Sequence, residues 1–371
     1  MQRDGLLMRV PLVGGELTCT EAVAVAELAR RFGNGVIELT NRGNLQMRGV
    51  QPNDCEAVIA ALTGLGFGSV SARAVTISPF AGDAARALRA QVVVLLETLD
   101  FSRLSSKFVV HIDDDGGWTS ARHCDAGIRI RSDGRCHVTL RRLGTVELPQ
   151  ATAPQVCDVI MRLCIEQGSQ ATLSDVVERG GGASVVAALE HALTTELRWV
   201  APATSANRHE RLGRIVMRRT DAAPFAVVAG VPLGRLDPST LRLLGERCAA
   251  NGLTSLHVTP SKAIAFLCGD AEQADMMVQE AARLGLAIDD DHPSRGIVAC
   301  VGASGCWQTD LDTLGLAGRL IAERAADGTA PAGVVHVSGC DKGCAFPGIA
   351  SVTFLGRNDG SGFDRINGPS A

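Results

Sequence analysis

Tyrosine is absent from the 371 residues, so no phenol is on hand as an acid, a base or a radical carrier. With ten Phe and three Trp, stacking surface for nucleic-acid bases is thin as well. An excess of one charge is also missing. Lys and Arg number 36 against 40 Asp and Glu, and the net charge of −4 gives no reason to expect general binding to polyanions or an anionic membrane. Any anionic ligand must find a local basic pocket. Apolar runs are only a few residues long, against roughly 20 for a membrane-spanning helix. Met1-Gln2-Arg3-Asp4-Gly5 leads directly into a strand-like segment, without the apolar stretch of an export signal. The expectation is a cytoplasmic protein with neither nucleic acid nor membrane as a partner. No Gly-rich dinucleotide fingerprint lies between a strand and a helix, so electrons would arrive from another protein or a colliding soluble reductant. What is present, 46% apolar and 20% charged residues, suits a folded chain of two or three domains.

The residue in excess is cysteine, at twelve. Under reducing conditions scattered cysteines mostly pack as small hydrophobes, whereas clustered ones bind metal or do redox chemistry. Cys19, Cys55, Cys124, Cys136, Cys157, Cys164, Cys248 and Cys268 stand alone in apolar or helical surroundings and are assigned to packing. Cys300 and Cys306 form a C-x5-C in Ala-Cys-Val-Gly-Ala-Ser-Gly-Cys, and Cys340 and Cys344 a C-x3-C in Ser-Gly-Cys-Asp-Lys-Gly-Cys-Ala-Phe-Pro. Both pairs lie in Gly-rich loops after apolar strands, where the backbone can bend around a bound group and offer N–H to sulfur. Four such thiolates suit a tetrahedral zinc or a cubane iron–sulfur cluster. A five-residue gap is wide for a zinc knuckle, so spacing favours the cluster.

The chain also repeats itself. A strand at Gly5–Pro11, a helix at Thr20–Phe32, strands at Gly35–Leu39 and Leu45–Arg48 and a helix at Pro52–Leu65 return in the same order over Phe225–Ile288. The turn Thr40-Asn41-Arg42 faces Thr259-Pro260-Ser261-Lys262, a basic residue in each. After the first copy come Ser78-Pro79-Phe80-Ala81-Gly82, a helix, and Phe108–Asp113 with His111. After the second come Cys300–Cys306, a helix, and Val334–Ser338 with His336. Both histidines read as satisfied core residues. The helical stretch Ala151–Arg198 and the charged Pro202–Arg219 read as the connection between copies.

These features together resemble the nitrite/sulfite reductase superfamily, over nearly the whole chain. Thr40-Asn41-Arg42-Gly43-Asn44-Leu45-Gln46-Met47-Arg48-Gly49 is similar to its tetrapyrrole-contacting turn, and the two cysteine pairs to its 4Fe–4S signature. Within it, Met1–Val10 and Ser78–Gly82 are most similar to the precorrin-3B synthase branch. The resemblance implies an α+β fold: ferredoxin-like half-domains at 1–72 and 201–289 alternating with a cofactor- or substrate-binding α/β domain at 73–200 and an iron–sulfur domain at 290–371. It implies an oxidoreductase of monooxygenase type acting in aerobic cobalamin biosynthesis. Precorrin-3A would be hydroxylated at a meso carbon by O2 with an electron donor, NADH or a reductase or ferredoxin, and a ring acetate would close as a γ-lactone. Two departures are visible. The Cys-Pro segment usual ahead of the first strand is missing, and Val301 stands where a proline is expected after the cysteine. Neither removes a cluster ligand.

A macrocycle bearing many carboxylates needs fixed cations, Arg best of all because it binds a carboxylate at two points. The candidates are Arg42, Arg48, Arg73, Lys107, Lys262 and Arg295, with Lys342 placed to tune the cluster or meet a carboxylate. Arg42, Arg73 and Lys107 correspond by motif to the superfamily's anion-binding positions. Where sulfite reductases often carry Lys-Phe-Lys, this chain has Lys107-Phe108-Val109. A cubane held by four cysteines has no open position for O2, so an additional mononuclear iron or the reduced macrocycle itself becomes the candidate for activating it. In sirohaem enzymes the thiolate matching Cys344 also bridges to the haem iron. No catalytic residue is assigned. The rival readings are a sirohaem-dependent nitrite or sulfite reductase and a non-catalytic iron–sulfur carrier of a tetrapyrrole.

Overall fold

Thr18 opens the first long helix with a capping box: its hydroxyl accepts from Glu21 N while the Glu21 carboxylate accepts from Thr18 N. That helix, α1 (Cys19–Phe32), follows strands β1 (Leu6–Val10) and β2 (Glu16–Thr18), and precedes β3 (Ile37–Leu39), β4 (Leu45–Val50) and α2 (Cys55–Gly64). Ala22, Val25, Ala26 and Ala29 give α1 its buried stripe. The computed structural model describes residues 2–67, 74–99, 103–114, 124–168, 170–201, 211–217, 224–329, 333–346, 348 and 350–368. Arg73 lies outside them.

A mixed sheet follows: β5 (Val75–Ile77), α3 (Asp83–Thr98), β6 (Val110–Asp114) and β7 (Ala126–Ile130), then β8 (Arg135–Leu140) and β9 (Gly144–Pro149). β5, β6 and β7 run parallel, and β8 and β9 continue antiparallel. Helices α4 (Ala153–Gln167), α5 (Leu173–Gly180) and α6 (Gly182–Leu193) lead to β10 (Arg198–Val200), which pairs with β9. The expectation for this stretch is corrected here. Ile160, Met161, Cys164, Leu173, Val185 and Leu189 are buried in the same core as the sheet, so the stretch is a layer of the first large domain and not a connection.

The second half-domain contains β11 (Gly213–Val216), β12 (Phe225–Gly230), β13 (Arg235–Leu236), α7 (Pro238–Ala250), β14 (Ser255–Val258), β15 (Ala263–Cys268) and α8 (Ala271–Arg283). Then come β16 (Ile297–Ala299), α9 (Thr313–Asp327), β17 (Val335–Ser338), β18 (Val352–Gly356) and β19 (Phe363–Asn367). β16, β17 and β18 are parallel and β19 antiparallel, which repeats the order of β5 to β8.

The half-domains exchange strands. β2 pairs with β14 in the second sheet, and β13 pairs with β3 in the first. With α1 packed on α7, where Gly245 lies so close that a Cβ would stand 2.8 Å from the Cys19 carbonyl, both halves share one apolar core. Neither sheet is complete without the other copy. Among the described residues no helix is long and apolar enough to cross a membrane.

Candidate functional site

The cysteine pairs sit at the carboxyl ends of two neighbouring parallel strands, the usual place for a ligand site in such sheets. Cys300 follows β16 directly, and its carbonyl accepts from the buried Thr313 hydroxyl at 2.7 Å. Gly302 turns the chain at φ 54°. A Cβ there would meet Thr313 Oγ1 and stand 2.6 Å from the Leu311 carbonyl, so no larger residue fits. The turn closes as Cys306 N donates to the Gly302 carbonyl at 2.8 Å. Cys340 follows β17, and the Ser338 hydroxyl donates to its carbonyl at 2.7 Å.

Two backbone donors already point at sulfur. Gly339 N donates to Cys300 Sγ at 3.3 Å, joining the two loops, and Gln308 N donates to Cys306 Sγ at 3.3 Å. Burial pushes the Cys344 thiol up, and Cys340, Cys300 and Cys306 push it further while Lys342 opposes them. The other three thiols thus lie within electrostatic reach of Cys344. Yet no group of three or more His, Cys, Asp or Glu among the described residues converges as a single metal ion requires. Four thiols on two loops, two of them already accepting backbone N–H, are a donor set that fits a cubane cluster. No ligand group for an additional mononuclear iron occurs among the described residues.

The other cysteines behave differently. Cys19, Cys136, Cys157, Cys164, Cys248 and Cys268 are buried, and burial pushes the thiols of Cys136, Cys157 and Cys164 up to about 12. Such thiols pack and do not react. Cys55 and Cys124 are half-buried, less enclosed than expected for packing.

The first cysteine loop rests on the N-terminal segment. Arg3 N donates to the Gly305 carbonyl at 2.9 Å, and its guanidinium pairs with Asp310 at 2.7 Å and lies 5.3 Å from the Trp307 ring. Behind it lies Arg48, so close that a Cβ on Gly305 would collide with its guanidinium. Arg48 is 4% exposed and meets Asp4 at 2.9 and 3.1 Å and Glu38 at 3.2 Å. These carboxylates hold its guanidinium charged despite burial. It is an internal ion pair under the cysteine loop and not the open anion contact expected from sequence, which amounts to a correction.

Glu38 is shared further. Arg235, on the exchanged strand β13, stands opposite it in register and pairs with it at 3.3 Å. Lys262 adjoins both: burial lowers its ammonium pKa, Glu38 raises it and Arg235 lowers it. Its ammonium forms no hydrogen bond or ion pair among the described residues. The half-buried network thus holds three cations, Arg48, Arg235 and Lys262, against two carboxylates, Asp4 and Glu38. One positive charge is left over, the arrangement an incoming carboxylate would balance. Arg235 was missed in the sequence because its only signal is a register that strand exchange creates.

Lys262 adopts φ 60°, the left-handed conformation of Gly43 at φ 66°. Thr40 N bonds to the Asn44 carbonyl as Thr259 N bonds to that of Ala263, each at 2.9 Å. Structurally Lys262 therefore stands in the place of Gly43, so the basic residues of the two matched turns are one position apart. The two turns abut, a Cβ on Gly43 standing 2.9 Å from the Val258 carbonyl. Arg42 donates to the carbonyls of Ser106 and Lys107, at 2.7 and 3.1 Å. Lys107 itself is exposed. Arg42 and Lys262 therefore stand in adjoining turns, Arg42 reaching the backbone at Lys107, while Arg48 is joined to Lys262 only through Glu38. Arg295 is tied instead to Asp290 at 3.0 Å.

Comparison with known proteins agrees with this architecture. Residues 1–65 match the nitrite/sulfite reductase ferredoxin-like half domain. The chain is 28% identical to a precorrin-3B synthase from a Sinorhizobium species, over 97% of this chain and 79% of that one. It is 23% identical to a ferredoxin–nitrite reductase from Leptolyngbya laminosa, over 98% of this chain and 79% of that one. The solved structure of the Mycobacterium tuberculosis NirA protein superposes with a TM-score of 0.78 at 20% identity, covering 98% of this chain and 75% of that one. The chain thus carries a nitrite/sulfite reductase ferredoxin-like half domain at residues 1–65, and along 98% of its length it shares the fold of the NirA structure.

Proposed function

We propose that the protein is a precorrin-3B synthase: it hydroxylates precorrin-3A at a meso carbon and closes a ring acetate as a γ-lactone. One oxygen atom of O2 enters the product, and the other leaves as water with two electrons and two protons from the donor. The observation that carries this reading is the pairing of the four-cysteine site with an adjoining network one positive charge in excess, in a chain similar along 97% of its length to a precorrin-3B synthase. Cys300, Cys306, Cys340 and Cys344 would hold a 4Fe–4S cluster, which supplies one-electron chemistry when bound.

The chain's own residues would bind and orient the macrocycle. Lys262 offers an ammonium to an acetate or propionate, with Arg235 and Glu38 fixing its surroundings. Arg42 and Lys107 would serve the neighbouring rim, and Lys342 the edge at Cys344. Arg73 keeps the role that the resemblance implies.

The sirohaem reductase reading has one point against it. At the position where sulfite reductases often carry a second lysine, Val109 is 3% exposed, packed into the protein with its N–H on Asp125 at 2.9 Å. That place offers no cation to an anionic substrate. The deciding experiment incubates anaerobically reconstituted protein with precorrin-3A, a chemical reductant and O2. The expected product has gained one oxygen atom. A bound haem with a Soret band together with nitrite or sulfite reduction would support the reductase, and substrate binding without conversion would support the carrier.

A further inference from the structure

The duplication provides an internal comparison for a histidine beside the cysteine loops. His111 on β6 and His336 on β17 occupy the same place in the two copies. Their strand neighbours Val110, Ile112 and Val337 pack toward α3 and α9, so by alternation both histidines lie on the opposite sheet face. In the first copy the adjacent strand brings Thr76 opposite His111, and Thr76 Oγ1 lies 2.9 Å from His111 Nδ1. In the second copy that position is Val298. His336 is 5% exposed, and its Nε2 is fully buried with no hydrogen-bond partner among the described residues. Thr353, opposite on the other side, does not supply one.

The surroundings of this ring belong to the second cysteine loop. Phe346 meets it edge-on with centroids 6.2 Å apart, and Gly343 lies close enough that a Cβ would stand 3.8 Å from His336 Cε1. These two residues flank Cys344. A buried polar nitrogen left unpaired is costly, and the orphaned Nε2 belongs to the copy that carries the cysteines, on the ring that Gly343 and Phe346 of the cysteine loop enclose. Burial also favours the neutral ring, which carries a single N–H.

We propose that His336 is a positioning residue for the group held by Cys300, Cys306, Cys340 and Cys344, its Nε2–H donating to a sulfur on the Cys344 side. The proposal rests on reading those cysteines as a cluster site. A hydrogen bond to sulfur draws negative charge from the reduced state and raises the reduction potential.

The test uses the full chain, reconstituted without oxygen, as wild type, His336→Phe, His336→Gln and, as the first-copy control, His111→Phe. Reduced wild-type protein carrying 15N-histidine is expected to show nitrogen and exchangeable-proton couplings to the cluster in ENDOR spectra. In His336→Phe both couplings disappear and the potential, followed by EPR titration, becomes more negative. His336→Gln restores part of the shift, and His111→Phe changes neither readout. Equal potentials and couplings in wild type and His336→Phe would overturn the proposal. If that variant fails to assemble, the labelled wild type decides, because a cluster signal without histidine coupling overturns it alone. Wild-type protein that takes up zinc, or no metal, would overturn the cluster reading as well.

Discussion

Replacing Arg48 with methionine tests whether the charge under the cysteine loop is structural. Arg48 is 4% exposed between Asp4 and Glu38. Removing one member of a buried pair costs about 3–5 kcal/mol, because it strands the partner's charge away from water. Two contacts soften the loss here: Asn34 still donates to Asp4 at 2.9 Å, and Arg235 still pairs with Glu38 at 3.3 Å. The expected destabilisation is therefore near the lower end, about 3 kcal/mol. At about 2–4 °C per kcal/mol for a cooperative unit of moderate size, thermal unfolding followed by circular dichroism should shift down by about 6–12 °C. The double variant Arg48→Met with Asp4→Asn should recover part of this, since a neutral amide leaves no stranded charge. A loss below about 1 kcal/mol, the range of an exposed ion pair, would refute the burial argument. A double variant no better than the single one would show that stranded charge is not the cause.

Cys340→Ser should abolish the broad visible absorbance of the reconstituted cluster, whereas Cys248→Ser, in the shared core, should leave it intact. Absorbance spectra that lose the band in both would contradict the sorting of the cysteines. Gly302→Ala should cost at least about 1–2 kcal/mol for its left-handed backbone alone and, through its collision with Thr313, lower iron content per chain; unchanged iron would contradict the loop geometry. Lys262→Met should weaken precorrin-3A binding by about tenfold or more, the worth of one charge-assisted hydrogen bond, with the cluster spectrum unchanged; equal affinity measured by fluorescence or absorbance titration would remove it from the site. Burial pushes the His257 imidazole down to about 4, with Glu16 opposing and Arg86 assisting. Because the unfolded ring takes up its proton near pH 6.5, stability is full above that value and falls as pH drops toward 4, by up to about 3 kcal/mol. Denaturant midpoints for His257→Gln should lose that part of the slope, and an unchanged slope would contradict it.

The repeat was legible in the sequence from the return of the same strand and helix order, and the structure finds it in the matching orders of β5 to β8 and β16 to β19. The strand exchange was not. β2 and β13 contain three and two residues, too short for any alternation to show, and their pairing depends on the other copy. For the same reason the Glu38–Arg235 pair had no local sign. Arg48 misled because a turn-adjacent arginine among Gly and Asn reads as exposed, while its burial depends on Asp4 and on the loop at Gly305, both distant in sequence. In the sequence the helical stretch after β9, with its break at Gly180-Gly181-Gly182, reads as a connection, whereas its apolar faces complete the core of the six-stranded sheet. The neighbours of His111 and His336, Thr76 against Val298 across a parallel strand pair and Gly343 and Phe346 from the second cysteine loop, become visible only once the register and the loop path are known.

Mass spectrometry of the tetrapyrrole after turnover under isotopically heavy O2 tests the central claim most directly. With reconstituted protein, precorrin-3A and a reductant, one heavy oxygen atom should appear in the product, and none should appear when Cys340→Ser replaces the wild type. A product without heavy oxygen, from protein whose cluster is intact, would contradict the assignment.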